Sequence, residues 1–159
     1  MGTLYVRDSS GFREATSTDV LDQAHGIISR GFRRGAKVLH SPGKVQECLR
    51  LHLGHLGYEV FGAIYLDAHH RLIAMEDLFR GTLSTAQVHP REVVKSALGH
   101  NAMCVIVYHN HPSGIPEPSP ADEFITRRLK DALALVDIEL LDHLIVADTV
   151  LSMAERGSL

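Results

Sequence analysis

The chain has 159 residues, a formal net charge of −3 at pH 7, 45 % hydrophobic residues and 22 % charged residues. A chain of this length predicts one domain with a buried core, and this composition excludes a wholly disordered protein. Its two cysteines, Cys48 and Cys104, are too few for a disulfide framework, so we predict that both are buried apolar residues in a protein of a reducing compartment.

The N-terminal part, residues 1–40, is predicted to be an arm followed by a helix. Residues 1–17 are polar and indicate a partly ordered arm with a turn at Asp8–Gly11. The helix should follow Thr18, because apolar residues recur there every three or four positions. No apolar stretch typical of a secretory signal precedes it, and no run in the chain approaches the about 18 apolar residues of a membrane span. The protein is therefore expected to be cytoplasmic, without membrane contact.

The main domain, residues 41–159, is predicted to begin with a helix and a β-hairpin. Ser41 and Pro42 are typical of a helix start, and the apolar spacing of this helix continues until a stop near Gly57. Two apolar segments rich in strand-forming residues then flank a turn, so they predict a hairpin. The predicted strands are residues 60–66 and 71–75.

The second half of the domain alternates helices with apolar strands. A helix is predicted to begin at Pro90 and to end at Gly99, and another begins at Ser119-Pro120, after a proline-rich loop. Three strands accompany these helices, at residues 103–108, 138–147 and 150–153. The alternation predicts an α/β fold, with α+β as the alternative, in which helices flank a mixed β-sheet.

Histidine is unusually frequent, with 11 in the chain, so roughly 0.75 His-x-His pairs are expected by chance. The pair His109 and His111 is more specific, because it lies where a predicted strand ends and residues two apart on a strand point to the same side. Asp122 lies at the start of the next helix, and requiring it there lowers the chance expectation to roughly 0.05. The proline-rich loop lets this helix start fold back toward the two histidines.

Two imidazoles and one carboxylate leave one position of a tetrahedral zinc ion open, which is typical of a catalytic site. Such an ion lowers the pKa of its bound water to about 7 and polarises a substrate carbonyl. A general base must then lie within hydrogen-bond reach. Glu59 is the candidate, although spacing alone does not separate it from Glu76. Ser119 and Asp122 also match a helix capping box, and we expect the cap and the ligand role to compete for the Asp122 carboxylate.

The chain resembles RadC-type proteins, whose domain has the JAB/MPN (JAMM) metallopeptidase fold, a cytidine-deaminase-like sandwich. The resemblance covers roughly Ser41 to Gly157 and depends most on the His-x-His-Pro…Ser-x-x-Asp element at His109–Asp122. The shorter matching segments are Glu59-Val60-Phe61, Tyr65-Leu66-Asp67, Gly81-Thr82, His89-Pro90-Arg91-Glu92, His109–Gly114, Pro118-Ser119 and Leu141-Asp142-His143.

The resemblance implies a role for each matching polar residue. It implies that His109, His111 and Asp122 are zinc ligands. It assigns the catalytic glutamate to Glu59 rather than Glu76, and to Ser119 the stabilisation of a developing oxyanion. The remaining matches belong to the RadC pattern but not to the ligand set, and they are interpreted as residues that support the ligands or pack beside them. These are His143, Arg91 and Glu92.

The function that the resemblance implies is that of a zinc-dependent metallohydrolase, a metallopeptidase cleaving peptide or isopeptide bonds of a peptide or protein substrate. Residues 80–89 are a candidate substrate edge. The alternatives are a DNA-repair-associated accessory protein and a catalytically silent metal-binding scaffold. The sequence specifies neither the substrate nor the oligomeric state.

Association with nucleic acid has weak support in the sequence. Longer family members carry an N-terminal helix-hairpin-helix module, and we expect this chain to be a short form without it. The net negative charge also argues against a broadly basic surface. Two basic groups remain, for which a solvated helix surface is the simpler interpretation: Arg30, Arg33, Arg34 and Lys37, and Arg127, Arg128 and Lys130.

Overall fold

The computed structural model describes residues 3–9, 11–31, 42–81 and 88–159. A hairpin and a helix come first: β1 (Tyr5–Asp8), β2 (Gly11–Glu14) and α1 (Ser17–Gly31). The remaining elements are α2 (Pro42–Leu53), β3 (Val60–Leu66), β4 (Leu72–Arg80), α3 (Pro90–Gly99), β5 (Cys104–Asn110), α4 (Pro120–Ala134), β6 (Glu139–Val146) and β7 (Val150–Ser152). None of the helices in these ranges reaches the length and apolarity that a bilayer crossing requires.

The N-terminal residues form a hairpin rather than the predicted arm. β1 and β2 pair antiparallel, with Asp8 opposite Gly11, so the turn was placed correctly and the strands were missed. Almost every residue of both strands is exposed, and the alternation of apolar and polar residues that marks a half-buried strand is therefore absent. Arg13 connects the hairpin to α1 through an ion pair of 2.7 Å with Asp19.

The main sheet has five strands in the order β4-β3-β5-β6-β7. β5 and β6 are parallel and connected through α4, whereas every other pair is antiparallel. The predicted α/β fold with a mixed sheet is thus confirmed, as is the hairpin of β3 and β4. β3 and β5 are the inner strands and are buried along their whole lengths, which explains their continuous apolar sequences.

Helices cover both faces of the sheet, because successive residues of a strand point to opposite sides. On one face, α3 and α4 pack against Phe61 and Tyr65 of β3. On the other face, α2 packs against Ile64 and Leu66. α2 ends at Leu53, before the predicted stop, since a turn begins directly after it.

The two cysteines differ in burial. Cys104 lies in the core as predicted, but Cys48 is only half-buried. Its position on α2 is one residue before Leu49, so it is rotated about 100° from the buried face that Leu49 and Val45 share. The prediction for Cys48 was therefore wrong.

Gly62 on β3 is required because an aromatic ring crosses it. The Tyr108 side chain passes from β5 over Gly62, and its hydroxyl donates a hydrogen bond of 2.7 Å to Asp77 on β4. A Cβ at Gly62 would lie 2.5 Å from the Glu76 carbonyl oxygen and closer still to the Tyr108 ring.

We expect Gly62→Ala to destabilise the protein by about 1–3 kcal/mol, because backbone and ring must both shift to admit the methyl group. Urea unfolding would show this as a lower midpoint with an unchanged slope. The matched control is Gly57→Ala, where a Cβ meets no atom within 4 Å. Equal midpoints for the two variants would contradict the explanation.

Candidate metal centre

Two histidines and one aspartate converge at the carboxyl end of β5. His109 is the penultimate residue of this strand, His111 follows its end, and Asp122 lies in the first turn of α4. His109 Nε2 lies 2.8 Å from His111 Nε2 and 3.2 Å from Asp122 Oδ1, and His111 Nε2 lies 3.5 Å from Asp122 Oδ2. In the part of the chain that the structure describes, they are the one group of this kind able to hold a metal ion.

The fold explains this convergence. β5, α4 and β6 form a parallel crossover, and the loop before α4 returns the start of this helix to the end of β5. His109 is fully buried and stacks on Phe61 at 6.2 Å between ring centroids. The positive end of the α4 dipole also favours an anionic Asp122.

The hydrogen bonding of His111 indicates which of its ring nitrogens faces the centre unprotonated. Its Nδ1 lies 2.7 Å from the Ile115 carbonyl oxygen, which only accepts hydrogen bonds. Nδ1 therefore carries a proton, and in the neutral ring Nε2 keeps a lone pair toward His109 and Asp122. With both rings neutral and unprotonated at Nε2, three acceptor atoms face one another, an arrangement that either a proton or a metal cation between them relieves.

The pKa values of the three groups show that the centre attracts positive charge. Burial is the largest influence on the pKa of His109 and keeps it well below its usual value, so this imidazole is neutral. For Asp122, burial raises the pKa, but hydrogen bonds with His111 and Ser119 outweigh this and hold it well below the usual range. The hydrogen bond to Asp122 in turn raises the pKa of His111. The centre thus combines a carboxylate anion with imidazole nitrogens.

The spacing of these atoms fits a transition-metal ion. Around a tetrahedral zinc ion with bonds of about 2.0–2.1 Å, ligand atoms lie roughly 3.3 Å apart. The distance of 3.2 Å from His109 Nε2 to Asp122 Oδ1 matches this value, and the distance between the imidazoles is slightly shorter. His111 Nε2 lies 3.5 Å from the other carboxylate oxygen, Oδ2. Two imidazoles and one carboxylate suit a divalent transition-metal ion and leave one coordination position open.

Asp122 also forms the predicted capping box with Ser119. The Ser119 N–H donates to Asp122 Oδ2 at 2.7 Å, and the Asp122 N–H donates to Ser119 Oγ at 3.2 Å. The two oxygens of the carboxylate share the contacts for which competition was expected. Oδ2 accepts the capping hydrogen bonds and also lies 3.5 Å from His111 Nε2, whereas Oδ1 faces His109 without a capping bond.

We expect Ser119→Ala to lower the free energy of unfolding by about 1 kcal/mol, since it removes the acceptor for the Asp122 N–H. Thermal unfolding would show a decrease of about 2–4 °C in Tm. Ser119→Thr keeps the hydroxyl and should retain most of the stability. A Tm of Ser119→Ala equal to that of the unsubstituted protein would contradict this account of the cap.

Glu59 lies at the same end of the sheet as the triad. β3 and β5 pair antiparallel with Phe61 opposite His109, and continuing this pairing by two residues places Glu59 opposite His111. Glu59 is half-buried, and its charge helps to raise the pKa of His111. Glu76 instead accepts a hydrogen bond of 2.7 Å from Ser96 on α3. The structure therefore separates the two glutamates that spacing could not.

Asn110 is a site residue that the sequence reasoning missed. It lies between the two histidines, is 2 % exposed, and its side chain reaches back to the segment containing Glu59. Its Oδ1 accepts from the Val60 N–H at 2.7 Å, and its Nδ2 donates to the Tyr58 carbonyl at 2.9 Å. The sequence feature that could have identified Asn110 is a side-chain amide at the end of an apolar strand. A polar group buried there needs hydrogen-bond partners.

Of the other predicted residues, His143 contacts the triad, and the rest lie away from it or outside the described residues. His143 is fully buried beside His109, with a distance of 2.8 Å between His143 Nε2 and His109 Nδ1. Arg91 is exposed and pairs with Glu92 at 3.4 Å. The segment 82–87 of the candidate substrate edge lies outside the described residues, as do the side chains of the basic group at positions 30–37.

The basic residues of α4 are exposed and have neighbours within the chain. Arg127 lies 3.9 Å from Glu123, and Arg128 lies over the Phe124 ring at 5.7 Å. Lys130 donates to the carbonyl oxygen of Leu159 at 3.3 Å. These contacts are those of a solvated helix surface.

Comparison with known proteins agrees with the fold. The family described as RadC-like JAB domain matches residues 39–158. A UPF0758 protein of Thioalkalivibrio sulfidiphilus is 53 % identical over 140 residues, which cover 88 % of this chain and 62 % of that protein. A UPF0758 protein of Dechloromonas aromatica is 60 % identical over 121 residues, which cover 75 % of this chain. A UPF0758 protein of Nitrosococcus oceani is 58 % identical over 140 residues, which cover 87 % of this chain. The chain spans 54–62 % of the length of these relatives.

Proposed function

The chain belongs to the RadC-like JAB domain family, and from this membership we propose that it is a zinc-dependent metallohydrolase that cleaves peptide or isopeptide bonds. The observation that carries the proposal is the convergence of His109, His111 and Asp122. Three ligands would leave the fourth position of a tetrahedral zinc ion for water. Zinc in this position acidifies water and polarises a substrate carbonyl as a Lewis acid. Both effects are what hydrolysis of an unreactive amide requires.

Glu59 is the proton carrier in this proposal. Its position opposite His111, at the ends of β3 and β5, and its influence on the pKa of His111 support this role. It accepts the proton of the attacking water and delivers it to the leaving amine. Asn110 holds the backbone on both sides of Glu59 through Tyr58 and Val60, which limits the movement of this carboxylate.

In this proposal, the Ser119 hydroxyl donates a hydrogen bond to the substrate. In the structure, this hydroxyl donates a hydrogen bond of 2.6 Å to Asp122 Oδ2 and so lies at the border of the centre. Rotation of this hydroxyl toward the substrate provides a hydrogen bond to the oxyanion that develops in the transition state. Because the backbone N–H of Ser119 also binds Asp122 Oδ2, the cap persists when the hydroxyl turns away.

The test is cleavage of a peptide library by the zinc-loaded protein, with new amino termini identified by mass spectrometry. We expect cleavage that a chelator abolishes and that added zinc restores. A fully zinc-loaded protein that cleaves neither peptides nor isopeptide-linked conjugates would contradict the proposal and favour the silent metal-binding scaffold.

Association with DNA stays a prediction, and salt dependence is the measurement that decides it. Binding through a basic footprint loses affinity steeply as salt rises, because counterions are released from the phosphates. Arg127→Ala and Arg128→Ala should reduce the slope if α4 supplies the contacts. An absence of binding at low salt would remove this alternative.

A further inference from the structure

A row of buried polar side chains extends from His109 away from the metal centre. His109 Nδ1 lies 2.8 Å from His143 Nε2 on β6, and His143 Nδ1 lies 2.6 Å from Thr126 Oγ1 on α4. Thr126 Oγ1 in turn lies 2.6 Å from the carbonyl oxygen of Asp122. His143 and Thr126 are 0 % and 1 % exposed, so water does not compete for these contacts.

The carbonyl at the end of the row determines the direction of every hydrogen bond in it. A backbone carbonyl oxygen only accepts, so the single hydroxyl proton of Thr126 is donated to Asp122. The Thr126 oxygen must then accept from His143 Nδ1, which therefore carries a proton. In a neutral imidazole the other nitrogen is unprotonated, so His143 Nε2 accepts from His109 Nδ1.

The opposite direction is disfavoured at the carbonyl end of the row. It would leave two oxygen lone pairs facing each other at 2.6 Å between Thr126 and Asp122. It would also put the proton of His109 on Nε2, where it would donate to His111 or Asp122 and would prevent this atom from binding a metal ion. The His143 ring packs edge-on against Phe61 at 5.6 Å, which restricts its rotation out of the row.

We propose that His143 and Thr126 are positioning residues that hold His109 with its proton on Nδ1 and its Nε2 lone pair directed at the metal. The inference rests on the proposed metal site and extends it. The row begins at one ligand side chain and ends at the backbone of another, so it also ties β5 to α4 through β6. A metal-binding histidine commonly donates its other N–H to a carboxylate or carbonyl, and here a second histidine takes that place.

The first test compares Thr126→Val with Thr126→Ser. Valine keeps the shape of the side chain but removes the acceptor for the His143 proton, whereas serine keeps the hydroxyl. Competition with a chromophoric chelator, using Zn²⁺ alone, should show a loss of about 10- to 100-fold in affinity for valine. Serine should retain the affinity of the unsubstituted protein. Unchanged affinity in Thr126→Val would overturn the inference.

The second test uses only the unsubstituted protein, so its result does not depend on whether a variant folds. In metal-free protein, the ¹⁵N resonances of the histidine rings distinguish protonated from unprotonated nitrogens. We expect the proton on Nδ1 in both His143 and His109. A proton on Nε2 of His143 would overturn the inference, whether or not the protein binds zinc. Failure of the unsubstituted protein to bind zinc would instead overturn the proposed function, so the two failures are distinguishable.

Discussion

Replacing His111 with alanine is expected to lower zinc affinity by more than about 100-fold, because outer partners of metal ligands alone contribute 10- to 100-fold and a ligand contributes more. Its side chain is 16 % exposed, so alanine leaves a space open to solvent rather than a closed cavity. The fold should therefore persist. Metal content after dialysis and chelator competition measure the loss.

The matched control for this prediction is His69→Ala. His69 is exposed in the turn between β3 and β4, and only its backbone N–H bonds to Asp67. This variant removes an imidazole without touching the triad and should bind about one zinc ion per chain, the stoichiometry that we also expect of the unsubstituted protein. If His111→Ala also retained stoichiometric zinc, His111 would not be a ligand.

Replacing Glu59 with glutamine is expected to lower the rate of hydrolysis by about 10²–10⁴-fold while zinc content is unchanged. The amide has nearly the shape of the carboxylate but cannot accept the proton of water at neutral pH. The measurement pairs turnover of a cleaved peptide with metal analysis of the same sample. This separation of activity from metal binding distinguishes a proton carrier from a ligand.

The control is Glu76→Gln, which makes the same chemical change in the glutamate that spacing could not exclude. Glu76 is bound by Ser96 and His100 on the side of α3, so its replacement should affect stability more than turnover. If Glu59→Gln retained full activity and Glu76→Gln lost it, the assignment of the two glutamates would be reversed.

The main sheet could be predicted because its strands carry strong local signals. β3 and β5 are continuous apolar runs, and their burial along the whole length is the reason for that composition. The starts of α3 and α4 were equally clear, since each begins with proline in its first turn. The N-terminal hairpin was missed because it buries almost nothing and so leaves no apolar pattern.

The fold class and the three residues of the candidate centre could be predicted from the chain alone, because strand periodicity and a fixed distance to the next helix are local properties. The surroundings of these residues depend on the three-dimensional fold. The pairing of β3 with β5 puts Glu59, not Glu76, beside His111. The Asp122 carboxylate contacts both the cap and the two histidines, and the row through His143 joins three separate elements. These relations depend on contacts between residues far apart in the chain, and local sequence patterns do not predict such contacts.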